Sequence, residues 1–439
     1  MGLNVALTSL GCSKNLVDSE IMLGILKEEN YLFTEDLSKA DIIIVNTCGF
    51  ILPAKQESID TILQMAEYKK TGQCKMLVVT GCLTQKYGKE LKKEIPEIDA
   101  VLGTSDFSRI GELVNARFKN GFMHTSKSSF SGAKRYLTTP RHTAYVKIAE
   151  GCNNRCSYCL IPELRGCYKS RPVEEILSEV RYLLDQGVKE INLIAQDTTY
   201  YGLDLSGAEK LPELLEAIAG EKVAWIRVLY CYPGRISDKL LQVMKAHDNI
   251  CHYLDIPLQH VEERVLKRMG RKETKEYLVR LISKIRQSIP DISLRTTLMV
   301  GFPGETEEEF QSLLDFIREQ KFDWLGAFTY SREEDTPAAS FPDQIPDEIK
   351  EDRYHRLMAL QNQVSAENQK KWIGKTISVL IEGKSSDNPE YFMGRSQYQA
   401  PEVDGVVFVK SDSLEVGTII PVLITGSDVY DLIGEVKKE

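Results

Sequence analysis

The chain has 439 residues, 42% hydrophobic and 27% charged, a length for roughly three domains and a composition that excludes collagenous, coiled-coil and disordered chains. No apolar run approaches the ~20 residues of a membrane span, and the start MGLNVALTSLGCSKN lacks the basic segment and apolar stretch of a signal peptide, so a cytoplasmic location is expected. The 55 Lys and Arg against 64 Asp and Glu give a net charge of −9, which leaves no global basic footprint for nucleic acid, and ten cysteines without a secretion signal point to a reducing compartment where clustered thiols bind metal or do chemistry.

Residues 3–118 alternate short apolar runs with helical patterns. Val5–Leu10 reads as a buried strand, followed by a helix through Glu28 with Asn15 and Asp18 as an N-cap-like start. Further strands are expected at Asp41–Thr47, Lys75–Thr80 and Ala100–Leu102, with helices at Pro53–Lys70, around Leu91 and from Ser105. This order predicts a parallel α/β domain over 1–120. Residues 113–149 carry no acid and seven bases (Arg117, Lys119, Lys127, Lys134, Arg135, Arg141 and Lys147). With a Ser, Thr and Gly-rich middle, the segment 121–140 reads as a linker, a nucleic-acid or substrate contact being the other reading.

From Thr143 a second series begins. Strands are expected at 143–149, 189–195, 224–230, 252–257, 292–300 and 322–329, with helices at 173–186, 211–219, 237–246, 262–287 and 306–319. Six strand–helix units predict a partial (β/α) TIM barrel over 141–371, closed by a charged helix at 347–371, with its chemistry at the carboxyl ends of the strands. Residues 372–439 change to short β segments and predict a five-stranded antiparallel β-barrel.

The cysteines cluster. CNNRCSYC places Cys152, Cys156 and Cys159 on one tight loop after the first barrel strand. Three thiolates there suit a 4Fe–4S cluster with one open iron. Zinc would need a fourth ligand, for which Cys167 stands eight residues on. In the first domain LTSLGC, IIVNTC and VVTGC put Cys12, Cys48 and Cys82 after three strands. In a parallel sheet all three lie at one carboxyl edge, where crevices form, and they suit a second cluster. Cys74 precedes its strand and is excluded, and Cys231 and Cys251 read as buried structural residues. No Ser/His/Asp set, P-loop or HExxH motif occurs.

The CxxxCxxC spacing with Tyr158 before the last Cys resembles the radical S-adenosylmethionine (SAM) superfamily. Together with the three-Cys domain and a terminal module like the TRAM domain, the whole chain resembles the methylthiotransferases. The resemblance implies two 4Fe–4S clusters and SAM: the barrel cluster chelates SAM and yields a 5′-deoxyadenosyl radical, and the N-terminal cluster carries the sulfur to be inserted. It also implies an external low-potential electron donor such as a flavodoxin or ferredoxin, with the enzyme expected to be a monomer. Several strand-end segments are candidates for the SAM pocket and substrate cleft, barrel-rim packing being the alternative: Gln196, Asp197 and Tyr200; Tyr232 and Arg235; Gln259 and His260; Arg295, Thr296, Thr297 and the Gly301–Glu305 turn. Of these and their neighbours, Tyr158, Gln196, Arg227, Arg295, Gly301 and Gly304 are taken as the SAM-contacting set.

Members of the family modify a tRNA adenosine or an aspartate of a small-subunit ribosomal protein. Residues 372–439 hold six basic and eleven acidic residues, a balance that repels phosphates and attracts a basic protein, unless the acids simply solvate the domain. GRSQYQAPEVDG at 394–405 resembles the aspartate-modifying branch, as does the start TSLGCSKNLVDSE. Glu402 and Asp404 are therefore expected to bind a basic ribosomal protein, the tRNA-modifying branch being the alternative and a non-catalytic iron–sulfur or zinc protein a more distant one.

Overall fold

The computed structural model describes residues 2–118 and 135–437. The first domain is a five-stranded parallel sheet in the order β2-β1-β3-β4-β5, built from β1 (Asn4–Ser9), β2 (Leu32–Phe33), β3 (Ile42–Thr47), β4 (Met76–Gly81) and β5 (Ala100–Leu102). The run IIIV of β3 and MLVV of β4 are buried on both faces, as strands covered by helices on both sides must be. Only the two-residue edge strand β2 has no counterpart in the sequence reading. The first helix, Ser13–Glu28, starts two residues before the expected Asn15, with Cys12 as its N-cap residue. Asn15 is occupied elsewhere: its amide donates to the Leu10 and Thr47 carbonyls at 2.9 and 3.0 Å, tying the ends of β1 and β3.

Two strands, β6 (Thr143–Lys147) and the short β7 (Ala149–Glu150), precede the cysteine loop, and β8 (Lys169–Ser170) follows it. The pairing of β7 with β8 is antiparallel and pins both ends of that loop. The remaining barrel strands are β9 (Glu190–Ile194), β10 (Trp225–Val228), β11 (Ile250–Asp255), β12 (Ser293–Val300) and β13 (Trp324–Thr329). With β6 they form an open six-stranded sheet in the order β13-β12-β11-β10-β9-β6, parallel throughout. The expected helix over 262–287 is two helices, Glu263–Arg268 and Lys275–Ser288. The break falls at Gly270, whose φ is +77° and which packs against the Arg155 carbonyl and Cys156 of the cysteine loop.

The terminal domain is a closed five-stranded barrel of β14 (Thr376–Lys384), β15 (Tyr391–Ser396), β16 (Val407–Lys410), β17 (Ile419–Ser427) and β18 (Leu432–Val436). It is antiparallel except for β16 and β18, which pair in parallel and close it. The domain docks at the amino ends of the six-stranded barrel's strands. Glu190, the first residue of β9, takes Arg227 of β10 at 3.0 Å and Arg395 of β15 at 2.6 Å, and the side chains of Glu190 and Arg227 are fully buried. Trp324, the first residue of β13, donates its indole N–H to the Tyr398 carbonyl at 2.8 Å.

Burial opposes ionisation of Glu190, yet the Arg395 and Arg227 guanidinium groups hold its carboxyl down at about 2. A carboxylate depressed in the folded state contributes stability above its unfolded pKa and loses it as pH falls through the folded value. The contribution of this contact is thus expected to fade from about pH 4.5 down to about 2. Removing the acid with Glu190→Ala strands the buried Arg227 cation and leaves Arg395 with Glu382 alone, and we expect a loss of about 3–5 kcal/mol in chemical denaturation at neutral pH.

The linker reading of 121–140 lies largely outside the described residues, as do Lys119, Lys127 and Lys134. Two of the other bases are not solvated. Arg135 is buried against Glu20 and Glu179, and Lys147 is buried against Asp18 and Glu150. Both join the first domain to the barrel.

Candidate active site

Strands β1, β3 and β4 end in step: Ser9 pairs with Asn46 and Thr47 with Gly81. The register brings Cys12, Cys48 and Cys82 to one edge of the sheet. A glycine flanks each of them and lets the loops approach. A Cβ on Gly11 would lie 2.7 Å from the Cβ of Cys48, and one on Gly49 would lie 2.8 Å from the Leu83 nitrogen beside Cys82. Gly11 also has φ +85°, which L side chains rarely adopt.

That edge faces the carboxyl rim of the barrel. Lys55 and the Leu52 amide bind Glu333 beyond β13 at 2.5 and 2.8 Å, and the Thr104 hydroxyl donates to the Leu164 carbonyl at 2.6 Å. Lys14 lies 3.3 Å from the centre of the Tyr230 ring beyond β10. Cys82 packs directly against Leu160 and Leu164, which follow the barrel cysteine loop. The two cysteine sets thus look toward each other across the gap between the domains.

The loop carrying Cys152, Cys156 and Cys159 is held by neighbouring polar groups. Asn154 donates to Asp197 at 2.8 Å, Asn153 accepts from the Tyr168 amide at 3.0 Å, and the Ser157 amide donates to the Met269 carbonyl at 2.9 Å. Asp197 is fixed in turn by Arg235 at 2.5 Å. Asp197 and Arg235 therefore support the loop, while the Tyr200 and Tyr232 rings stack on the Arg235 guanidinium.

Burial raises the Cys82 and Cys152 thiols to about 11 and the Cys159 thiol to about 12. Such thiols are neutral at physiological pH, and a bound metal centre supplies the positive charge that deprotonates a coordinating thiol. Among the described residues no three His, Cys, Asp or Glu groups converge as ligands of a single metal ion. Cys167, the fourth thiol that a closed zinc site would draw on, is exposed. Two three-thiol sets, each on a glycine-bearing turn, fit multi-iron clusters, whose ligands stand further apart than those of one ion.

The SAM-contacting set divides. Gln196, just past β9, donates to Glu150 at 2.7 Å, and its buried carbonyl oxygen has no partner. Tyr158 packs edge-on against Phe302, with ring centres 6.4 Å apart, beside Met269, Met299 and Tyr330. Both face the gap. Arg227 does not: it is fully buried at the opposite end of the barrel and spent on Glu190 and the Gln397 carbonyl. Arg295 is likewise engaged by Asp404 at 2.7 Å. Gly301 and Gly304 have φ of +72° and +76°, and the space a Cβ would take is filled by Lys350 and Arg268. Their glycine requirement comes from the turn and the chain's own packing. The Glu305 carboxylate accepts the Gly301 and Phe302 amides and shapes that turn, and His260 lies 3.6 Å from it.

Asp404 is also corrected. Its side chain is fully buried, bound to Arg295, to the Tyr253 hydroxyl at 2.7 Å and to the Ala400 amide at 2.8 Å. It anchors the terminal domain and cannot meet a substrate. Glu402 is exposed on the same turn, with φ +70°.

A buried ionic network between the domains escaped the sequence reading. Arg165 reaches Asp18 at 3.1 Å, Glu150 at 3.0 Å and Asn15 at 2.5 Å, and Lys147 binds Asp18 and, at 2.7 Å, Glu150. Desolvation opposes ionisation of both Cys12 and Cys82; at Cys12 the Lys14 and Arg165 charges outweigh it and the thiol is lowered, whereas Cys82 stays raised although Arg165 acts on it in the same sense. Its one sequence signal is a lysine inside the apolar strand TAYVK.

Residues 146–317 match the radical SAM superfamily, residues 4–103 the uncharacterized protein family UPF0004, and residues 373–436 the TRAM domain. A curated relative from Clostridioides difficile (strain 630), the ribosomal protein uS12 methylthiotransferase RimO, is 52% identical over 100% of this chain and 99% of its own. The protein of that name from Desulforamulus reducens is 51% identical over 98% of this chain and 99% of its own. Among solved structures, the radical SAM methyltransferase TsrM from Kitasatospora setae, with cobalamin and a 4Fe–4S cluster bound, aligns with a TM-score of 0.57 at 16% identity over 77% of each chain. The cobalamin-dependent radical SAM enzyme OxsB aligns at 0.51 and 13% identity, over 83% of this chain and 56% of its own. These two share the fold.

Proposed function

Because the chain belongs to the RimO family of ribosomal protein uS12 methylthiotransferases, we propose that it adds a methylthio group to the β-carbon of an aspartate in that protein. The observation that carries the reading is full-length identity to this family in a chain whose two three-cysteine sets face one gap. Cys152, Cys156 and Cys159 would hold the 4Fe–4S cluster that binds SAM, and Cys12, Cys48 and Cys82 a second one that carries the sulfur. When bound, these groups supply one-electron cleavage of SAM and a sulfur donor, which together open an unactivated C–H bond that acid–base chemistry does not reach at neutral pH.

The chain's own residues bind and orient. The free carbonyl oxygen of Gln196 is an acceptor for the SAM amino group, and the Tyr158–Phe302 pair offers an apolar wall for its adenine. Asn153, Asn154 and Ser157 hold the cysteine loop in place, and the facing domains restrict water in the gap. A low-potential donor of the flavodoxin or ferredoxin type would deliver electrons, and the enzyme would act as a monomer.

A protein substrate is favoured over tRNA by the terminal domain's charge. Arg395 and Asp404 are both buried in the docking contact, which removes one charge of each sign and leaves the excess of acid over base on the outer surface. Glu402 would meet the basic substrate there. Binding of uS12 is expected to weaken as salt rises, and Glu402→Lys to weaken it several-fold at low salt with no change in the melting temperature.

Mass spectrometry of uS12 and of tRNA nucleosides from cells lacking the gene tests the function. Loss of the methylthio group from uS12, with tRNA unchanged, is the expected result. Loss from tRNA with uS12 intact would assign the enzyme to nucleic acid.

A further inference from the structure

Arg165 belongs to the barrel domain yet places its guanidinium among residues of the first domain. It leaves the short helix Ile161–Arg165, directly after the barrel cysteine loop. From there it contacts Asn15 and Asp18 on the helix that begins after Cys12. The Asn15 side-chain oxygen that accepts from Arg165 also stands 3.8 Å from the sulfur of Cys82. The other terminal nitrogen of Arg165 is shared between Asp18 and Glu150, and Glu150 lies two residues before Cys152. The side chain is 1% exposed.

The charges around it balance. Arg165 and Lys147 are two cations, each bonded to the same two carboxylates, Asp18 and Glu150; the Arg165, Lys147 and Asp18 side chains are buried and Glu150 is 24% exposed. A guanidinium cannot lose its proton in a protein, so the Arg165 charge is permanent. Loss of the cation would leave one uncompensated negative charge beside the Cys12 and Cys82 thiols.

We propose that Arg165 is a positioning residue that joins the two cysteine sets and sets the reduction potential of the cluster held by Cys12, Cys48 and Cys82. The inference rests on the two-cluster reading above. Cluster potential follows net charge, hydrogen bonding and solvent exposure around the sulfurs. A buried cation on the N-terminal side therefore makes that cluster easier to reduce, and it acts there more than on the barrel cluster, whose cysteines it does not touch.

The test is an EPR-monitored redox titration of the anaerobically reconstituted full chain, with iron and sulfide assays on each sample. Arg165→Met is expected to shift the N-terminal cluster to a more negative potential and the barrel cluster much less. Arg165→Lys keeps the charge but cannot span Asn15, Asp18 and Glu150, and is expected to restore most of the potential. Where Arg165→Met loses its N-terminal iron, Asp18→Asn decides, because removing a negative charge from the same network should move that potential upward. An unchanged potential in a fully loaded Arg165→Met chain, or in a fully loaded Asp18→Asn chain, overturns the proposal. Iron sufficient for only one cluster in the unaltered protein would instead overturn the two-cluster reading, whatever the variants do.

Discussion

Cys156→Ala should reduce 5′-deoxyadenosine formation from SAM to background when the reconstituted protein is treated with dithionite. Cys156 is the central residue of CNNRCSYC, on the loop that β7 and β8 pin at the barrel's carboxyl rim. The loop backbone is held independently of the thiol, by Asn153, Asn154 and Ser157. Truncating the sulfur is thus expected to leave the fold and the N-terminal iron in place, so that loss of SAM cleavage reports the missing ligand. Chromatography of the reaction products, alongside a circular dichroism melt, checks this. Undiminished 5′-deoxyadenosine from this variant would remove the barrel loop from its assigned role.

The triple change Cys12→Ala, Cys48→Ala and Cys82→Ala should do the reverse. Bound iron is expected to fall by about half, the share of one of two like clusters, while SAM cleavage continues and transfer of the methylthio group to uS12 stops. The separation follows from position: these thiols close the edge of a different sheet, and Cys82 meets the barrel at Leu160 and Leu164. Iron assay, 5′-deoxyadenosine yield and the mass of uS12, measured on one preparation, distinguish the outcomes. A triple variant that keeps the full iron load refutes the assignment.

The positions of the longer strands of both α/β domains were legible because runs such as IIIV and MLVV are buried on both faces and bounded by turn residues. The metal-ligand candidates were legible for a related reason: a cysteine after a parallel strand can lie only at the carboxyl edge. What failed was the assignment of charged residues within strands. Arg227 and Arg295 interrupt apolar strands in the way a ligand-binding arginine would, and sequence does not reveal which end of the barrel a third domain covers. Once the terminal domain docks at the amino ends, both arginines and Asp404 become its fastenings. Arg165 was missed for the complementary reason. Its first-domain partners, Asn15 and Asp18, lie some 150 residues earlier in the chain, and no local periodicity encodes a contact of that span.

Glu190 carries a consequence for how such proteins can be recombined. One carboxylate answers two guanidinium groups, one from the catalytic barrel and one from the terminal barrel, with a second carboxylate, Asp404, crossing in the other direction to Arg295. The terminal module is therefore not portable. Grafting its counterpart from a nucleic-acid-modifying relative onto this barrel would bring in a surface matched to a different set of buried charges, and the chimera would lose stability before any change of target could be read. A swap keeps its stability only if Glu190, Arg227 and Arg295 travel with the module they hold.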